Sequence, residues 1–325
     1  MSGSEKFLAL TGGVGGAKLA LGLRELLGPE QLAFLVNTGD DFEHLGLHVS
    51  PDLDTLMYAL SGLSNPDTGW GRVDESWQFI DTLRGLGGDT WFNLGDRDLA
   101  VHVLRSARLR AGQPLSAVTR ELNTALGTRH SIWPMSDDPS PTIVHTTGGP
   151  LAFQHYFVRE RCTPTVTGFE FAGAAAARPL PEVLAWLADP ALTGIIVCPS
   201  NPFVSIDPIL AVPGLREALR ASAAPVVAVS PIVAGLAIKG PTAKMMAELA
   251  VPSTAAAVAA HYGDLLDGFV LDVQDSGLLD GFRGGELVAI AAPTVMLTLP
   301  DKVRLATIVC EFARELRASR RAAPA

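Results

Sequence analysis

The sequence has few cysteines: Cys162, Cys198 and Cys310 are the three in 325 residues. Their odd number and wide spacing argue against a disulfide framework and against a zinc site, and they favour a cytoplasmic protein with reduced thiols. The seven histidines show no H-E-x-x-H spacing, and no G-x-S-x-G motif is present. A zinc protease and a serine hydrolase are therefore not supported.

Long apolar runs and excess positive charge are also lacking. No run of about 18 apolar residues is available to span a bilayer, and the segment Met1–Lys6 lacks the basic and apolar regions of a signal peptide. The formal net charge is −9 at pH 7, and the basic cluster at Arg314–Arg321 is typical of a solvated helix end. We predict a protein that binds neither membranes nor nucleic acids.

The sequence does have a glycine-rich segment, TGGVGGAK, at Thr11–Lys18. It lies between an apolar run, Phe7–Leu10, and a leucine-rich amphipathic stretch, which predicts a strand, a turn and a helix. Glycines let the backbone approach a phosphate, whose charge the helix N-terminus favours. The alternative is a turn whose glycines serve only packing. The predicted phosphate contacts are Gly12, Gly13, Gly15, Gly16 and Lys18.

This segment matches neither of two well-known phosphate-binding motifs. A Walker A loop needs glycine before its lysine and serine or threonine after it, but Ala17 and Leu19 flank Lys18. The dinucleotide fingerprint needs its third glycine where Lys18 stands. A kinase that uses a P-loop is therefore disfavoured.

Acidic residues follow the second apolar run, Ala33–Val36, and begin the next predicted helix. They lie in Asn37–Asp41 and in Ser50–Asp54, where proline after serine marks a helix start. Turn formation or helix capping would explain each polar residue singly. Together the carboxylates suit Mg²⁺, which takes carboxylate and phosphate oxygens. The predicted metal ligands are Asp40, Asp41, Asp52 and Asp54.

Two more buried-strand runs, Gly194–Cys198 and Pro225–Val229, are each followed by proline and short polar residues. Ligands collect beyond the carboxyl ends of strands in an open α/β sheet, so these corners are predicted to bind a nucleotide. Lys239 and Lys244 either are solvated or face a diphosphate. Tryptophans within residues 61–92 either fill the core or stack on a flat ligand. The remaining predicted nucleotide contacts are Asn37, Thr38, Arg97, Ser200, Asn201 and Ser205.

The alternation of apolar runs and helical patterns predicts an α/β fold, a three-layer Rossmann-like core with a mainly parallel sheet. We expect a single domain, with its core in residues 1–130 and 190–325 and an inserted segment at 131–189. Gly268–Asp272 and Thr294–Leu299 are predicted to be the final strands.

Seven motifs, in this order, resemble those of the 2-phospho-L-lactate transferase family of coenzyme F420 biosynthesis. They are TGGVGGAK at 11–18, VNTGDD at 36–41, SPDLDT at 50–55, LGDRD at 94–98, PMSDD at 134–138, PSNP at 199–202, and SPI at 230–232 with GP at 240–241. The resemblance covers nearly the whole chain, and several motifs in order are more specific than any one alone.

The resemblance implies a Mg²⁺-dependent homodimeric transferase with small-molecule substrates. A guanosine diphosphate ester of 2-phospholactate or phosphoenolpyruvate would give its phospho-acid to the ribityl hydroxyl of the deazaflavin Fo, releasing GMP and forming F420-0 or its dehydro form. The glycine loop and the Ser200–Asn201 region would hold the GDP moiety. Asp54 and Asn93 would contact Fo, although a basic residue is frequent at the position of Asn93.

Phosphoryl transfer depends mainly on positioning and charge neutralisation, which suits a phosphate-binding loop and carboxylates. The predicted catalytic residues are Asp41, Asp52 and Asp54. A rival function is that of a non-catalytic regulator that binds a nucleotide sugar through the same core. Proteins of that group lack the SPDLDT and LGDRD motifs, which this chain has.

Overall fold

The computed structural model describes residues 5–65 and 70–322. Residues 1–4, on which the expected absence of a signal peptide partly rests, lie outside these ranges. The strands are β1 Lys6–Thr11, β2 Leu32–Val36, β3 Phe42–His44, β4 Leu47–Val49, β5 Ser131–Pro134, β6 Thr142–Thr146, β7 Gly149–Ala152, β8 Val166–Phe171, β9 Leu192–Val197, β10 Val226–Val229, β11 Ile232–Val233, β12 Leu236–Ala237, β13 Gly268–Asp272 and β14 Val288–Ala292.

The helices lie between groups of these strands. They are α1 Gly13–Leu26, α2 Pro51–Ser61, α3 Gln78–Gly85, α4 Asp96–Arg110, α5 Leu115–Ala125, α6 Pro181–Leu187, α7 Asp207–Leu210, α8 Leu215–Ala221, α9 Thr242–Glu248, α10 Ala255–Tyr262 and α11 Leu299–Ala322. Among the described residues, no helix has both the length and the apolar character that crossing a membrane requires.

A seven-stranded, wholly parallel sheet forms the centre of the fold. Its strand order is β14-β13-β10-β9-β1-β2-β5, so that β1 lies between β9 and β2. The central strands are short apolar runs, and all five residues of β2 are buried. Such runs are expected where helices cover both faces of a parallel sheet.

The two faces of the sheet carry separate apolar cores. Phe7, Ala9 and Phe34 pack on one face with residues of α1, α2 and α11. The alternate residues Leu8 and Leu10 pack on the other face with residues of α6, α8 and α10. This arrangement confirms the predicted three-layer α/β fold with its parallel sheet.

The inserted segment begins later than predicted. Ser131–Pro134 forms β5 and pairs in parallel with β2, so the boundary at residue 131 is corrected to a point after Pro134. A proline is tolerated at the end of an edge strand, although it resembles a turn signal in the sequence. The insertion that follows contains the antiparallel sheet β7-β6-β8 and helix α6.

The last strand lies earlier in the chain than predicted. Val288–Ala292 pairs with β13 as β14, whereas residues 294–298 form an irregular connection in which Leu297 is 78% exposed. The Asp272 carboxylate at the end of β13 accepts hydrogen bonds from Thr294 N (2.8 Å) and Thr294 Oγ1 (2.9 Å). These bonds hold the connection against the sheet edge, where it faces the cavity described below.

Candidate active site

A cavity of about 480 Å³ lies at the carboxyl ends of the parallel strands. The loops that follow β1, β2, β9, β10 and β14 all contribute to its lining. Because β1 is central, the glycine-rich loop that follows it lies near the middle of this edge. Ligands of open α/β sheets bind at this edge, as the sequence predicted.

The glycine loop takes the predicted form of a turn that opens a helix. Gly12 precedes α1, and Gly13 has a φ of +65°, a conformation that favours glycine. A Cβ on Gly12 would lie 2.7 Å from Asp52 Oδ2 and 2.7 Å from the Ser205 Cβ. Gly12, Gly13, Gly15 and Lys18 line the cavity. Gly16 is buried behind them, where a Cβ would contact Thr11 and Ser200.

Asp40 and Asp52 converge next to this loop. Asn37 Nδ2 donates to Asp40 Oδ1 (2.9 Å) and to Asp52 Oδ2 (2.8 Å), and Gly13 N donates to Asp52 Oδ1 (2.7 Å). Burial raises the pKa of Asp52 to about 6. Burial and the charge of Asp52 raise the pKa of Asp40 well above its ordinary value. Two carboxylates held this close form a centre that favours protons or a cation.

This pair predicts a specific pH dependence of stability in the presence of a chelator. The folded-state pKa of Asp52, about 6, exceeds the ordinary value of 3.8. The unfolded chain therefore loses this proton first, and the wild type should lose stability relative to Asp52→Asn as pH rises between these two values. Urea titrations of both proteins across that pH range measure the difference. A parallel pH profile for the two proteins would contradict the assigned pKa.

Asp41 lies outside the cavity and faces the β3–β4 hairpin. Its Oδ2 accepts a hydrogen bond from Ser50 Oγ (2.7 Å) and lies 3.1 Å from His48 Nε2. Burial raises the pKa of Asp41, although these two neighbours oppose the rise. The structure therefore does not bring Asp41 into the pair formed by Asp40 and Asp52.

Asp54 also lies outside the cavity, contrary to its predicted position among the metal ligands. It forms a buried, two-armed ion pair with Arg105 of α4, in which Arg105 Nη1 donates to Asp54 Oδ2 (3.0 Å) and Nη2 pairs with Oδ1. His102 Nδ1 is 3.6 Å from Asp54 Oδ2. The physical reason is helical geometry, because side chains two positions apart on α2 cannot share a face. Asp52 faces the cavity and Asp54 faces α4.

Arg105 is an interior cation that the sequence analysis missed. Its side chain has no exposed surface, and burial alone would lower its pKa, but the Asp54 carboxylate raises it. Asp98 completes the cluster, because Tyr58 OH donates to Asp98 Oδ1 (2.6 Å) and His102 Nε2 lies 3.3 Å from Asp98 Oδ2. Asp54, Asp98 and His102 are close enough to hold a metal ion. The guanidinium already neutralises Asp54, so these residues act as a structural ion-pair cluster.

The predicted nucleotide contacts are divided by the structure. Ser200, Asn201 and Ser205 line the cavity, and Ser200 Oγ donates to Gly12 O (2.8 Å). Asn37 and Thr38 are buried beneath the lining, where Asn37 organises the carboxylates.

Arg97, within the LGDRD motif, and Asn93, directly before it, have different surroundings. Arg97 points outward, with its Nη1 3.9 Å from Asp74 Oδ2 and half of its side chain exposed. It belongs to a surface ion pair and lies outside the cavity, so the structure does not place it with the other predicted nucleotide contacts. Asn93 lines the cavity.

An aromatic wall forms one side of the cavity. The sequence predicts a core or stacking role for Trp70 and Trp91, but it gives no signal for the three phenylalanines of the wall. The ring of Trp91 packs against His155 (4.8 Å between centroids) and against Phe42 (5.8 Å), which directly follows the β2 corner. The wall therefore lies on the β2 side of the glycine loop. Its members are Trp70, Trp91, Phe92, Phe153 and Phe157.

The opposite side of the cavity is formed by the segments that follow β9, β10 and β14. It includes Ser230, Lys239, Thr294 and Met296. Lys18 Nζ extends to this side and donates to Met296 O (3.2 Å). Lys244, the other lysine considered from sequence, instead pairs with Glu248 at 2.5 Å and lies outside the cavity.

The fold and the cavity define an α/β protein of the doubly wound class, with its cavity at the carboxyl ends of the parallel strands, where such folds bind ligands. The profile of the family described as 2-phospho-L-lactate transferase CofD matches residues 7–280. The chain belongs to this family of transferases, which confirms the resemblance inferred from its motifs.

Similar proteins support the same assignment. The chain is 41% identical over 319 residues to the phosphoenolpyruvate transferase of Streptomyces griseus, covering 96% of this chain and 100% of that protein. It is 39% identical over 320 residues to the phosphoenolpyruvate transferase of Mycobacterium sp. (strain KMS), covering 91% and 94%. A UPF0052 family protein from Bacillus halodurans aligns with a TM-score of 0.61 and 14% identity over 94% of this chain and 99% of that chain, a likeness of fold.

Proposed function

We propose that this chain transfers the phosphoenolpyruvyl or 2-phospholactyl moiety of a guanosine diphosphate ester to the deazaflavin Fo. The ribityl hydroxyl oxygen of Fo forms a bond to the phosphorus of the phospho-acid, and the bond from that phosphorus to GMP breaks. The hydroxyl proton leaves, and the products are GMP and F420-0 or its dehydro form. The names of the curated relatives favour phosphoenolpyruvate as the transferred acid.

The observation that carries this proposal is the order of groups along one cavity. The glycine-rich loop lies in the middle, with a carboxylate pair beside it and an aromatic wall on the β2 side. A flat deazaflavin ring would pack on the wall, near Asn93, and the donor would extend from the loop towards the β9 and β10 corners. With the two substrates bound in this order, the acceptor hydroxyl and the donor phosphate would meet in the centre.

The residues present fit a Mg²⁺ ion at Asp40 and Asp52. Their oxygens converge on the same Asn37 nitrogen, and both carboxyl groups are buried with raised pKa values. When bound there, Mg²⁺ would neutralise charge on the transferring phosphate. Asp41 and Asp54 face other elements. We therefore assign to Asp40 and Asp52 both the metal role predicted for the four aspartates and the catalytic role predicted for Asp41, Asp52 and Asp54.

These carboxylates also serve the acceptor. Asn37 fixes their orientation, and Gly13 N holds the second oxygen of Asp52. With a cation bound beside them these carboxylates would be deprotonated near neutral pH, which suits groups that orient a hydroxyl and accept its proton. The glycine loop and Lys18 would hold the donor phosphates during this step.

The test is a reaction of the purified protein with Fo, Mg²⁺ and the guanosine diphosphate ester of each candidate acid. We expect equimolar release of GMP and an Fo adduct whose mass identifies the acid, with the enolpyruvate ester reacting fastest. The reaction without Fo is the control. GMP release that does not require Fo, or the absence of any adduct with all esters, would contradict the proposal.

Nucleotide preference separates the transferase from a nucleotide-sugar-binding regulator. Ligands that bind only the folded state raise the unfolding temperature, and at equal concentration the ligand that binds more tightly raises it more. We expect GDP to stabilise the protein more than a UDP-sugar at equal concentration. The opposite preference would favour the regulator.

A further inference from the structure

The chain has only five lysines, and they divide into two groups. Lys6 Nζ pairs with Asp189 Oδ2 at 2.6 Å, and Lys244 Nζ pairs with Glu248 Oε1 at 2.5 Å. The other three are Lys18, Lys239 and Lys302. Within residues 5–65 and 70–322, none of these three has a carboxylate at ion-pair distance.

The three unpaired lysines gather at one corner of the molecule. Lys18 and Lys239 both line the cavity. Lys302 lies in the first turn of α11, which begins shortly after the cavity-lining residue Met296. Burial lowers the pKa of Lys18, and the charges of Lys239 and Lys302 lower it further. Like charges repel, and a bound anion would offset this repulsion.

A β-hairpin brings Lys239 to this corner. Strands β11 and β12 are joined by Ala234 and Gly235, whose φ angles of +48° and +80° are those of a type I′ turn. Ala234 N donates to Asp275 Oδ2 (3.0 Å), and Ser253 Oγ donates to Gly235 O (3.0 Å). The turn is thus fixed from two sides, and the chain returns over the cavity at Lys239.

We propose that Lys239, acting with Lys18, pairs with the diphosphate oxygens of the donor and is a positioning residue of this transferase. The proposal rests on the proposed function for the identity of the donor. Lys18 and Lys239 lie on the β10 side of the glycine loop. They match the two adjacent phosphates of a donor that extends from the loop in that direction. The aromatic wall and the carboxylate pair occupy the other side, so the nucleoside half of the donor lies beneath the hairpin.

Calorimetric titration with GDP, inorganic pyrophosphate and guanosine tests this role. The variants are Lys239→Gln and Lys239→Arg, with Lys244→Gln as a matched control from the same segment that lies outside the cavity. We expect Lys239→Gln to weaken binding of both GDP and pyrophosphate by about tenfold in Kd, equivalent to about 1.4 kcal/mol. Lys239→Arg and the control should bind both about as the wild type does, and guanosine binding should not change. The effect should diminish with added salt, because the lysine is exposed.

The outcomes separate this proposal from the proposed function. If Lys239→Gln binds GDP and pyrophosphate as tightly as the wild type, the lysine has no such role, whereas the guanosine donor is retained. If the wild type binds pyrophosphate but not GDP, and Lys239→Gln weakens that binding, Lys239 binds anions as proposed. In that case the donor is not a guanosine diphosphate ester. If the wild type binds neither ligand, both proposals are wrong.

Discussion

An Asp52→Asn variant is expected to lose phospho-acid transfer by about 10²–10³-fold in kcat, the range typical of removing a general base or a charged group that stabilises the transition state. Asparagine fills nearly the same volume and can still accept a hydrogen bond from Gly13 N. It removes the negative charge that, in our proposal, binds the cation beside Asp40. GMP release in the presence of Fo and Mg²⁺ measures the loss.

The control for this variant is Asp264→Asn. Asp264 is an exposed carboxylate that pairs with Arg216 and Arg220 and lies outside the cavity. Its replacement should leave kcat unchanged. A second readout is Mg²⁺ titration, in which Asp52→Asn should need more Mg²⁺ for half-maximal activity. Wild-type kcat and Mg²⁺ dependence in Asp52→Asn would remove this residue from the site.

The second large effect concerns stability rather than catalysis. Arg105→Met should lower the free energy of unfolding by about 3–5 kcal/mol, because it leaves the Asp54 carboxylate buried without its partner. Arg105 has no exposed surface and anchors α4 to α2 through both of its terminal nitrogens. Urea unfolding measures the change. Asp54→Asn combined with Arg105→Met should regain much of the loss, since no unpaired charge remains.

A surface pair provides the comparison for this effect. Arg304 Nη2 lies 2.8 Å from Asp301 Oδ1, but about half of the arginine side chain is exposed. Arg304→Met should therefore change the unfolding free energy by less than about 1 kcal/mol. Equal losses for the two arginine variants would show that burial of the Asp54 pair is not what matters. If the double variant is no more stable than Arg105→Met, Asp54 is not the source of the cost.

The overall architecture could be predicted from sequence because its signals are local. Apolar runs such as Leu32–Val36 and the glycine turn after β1 specify a parallel sheet and a ligand edge without knowledge of long-range contacts. The last strand was misplaced because Val288–Ala292 is rich in alanine, which has little strand preference. Pairing with β13 decides its conformation, and that pairing is invisible in the local pattern.

The sequence indicates that aspartates form the carboxylate site, but it does not indicate which of the four converge. The spacing of Asp52 and Asp54 could have separated them, since positions two apart on a helix point in different directions. No local sequence pattern indicates that Arg105, 51 positions further along the chain, would pair with Asp54. The phenylalanines of the aromatic wall come from the inserted segment as well as the core, so their convergence depends on tertiary packing.

The central position of β1 has a consequence for how the chain folds. Phe7 pairs with Gly194 and Leu10 with Val197, so one neighbour of the first strand is synthesised only after more than half of the chain has emerged from the ribosome. Until then one edge of β1 stays open, and loop closure over such a distance is slow. An open apolar edge of this kind attracts other nascent chains. Folding intermediates in which β9 has not yet joined β1 therefore expose a strand edge through which they can associate with other chains.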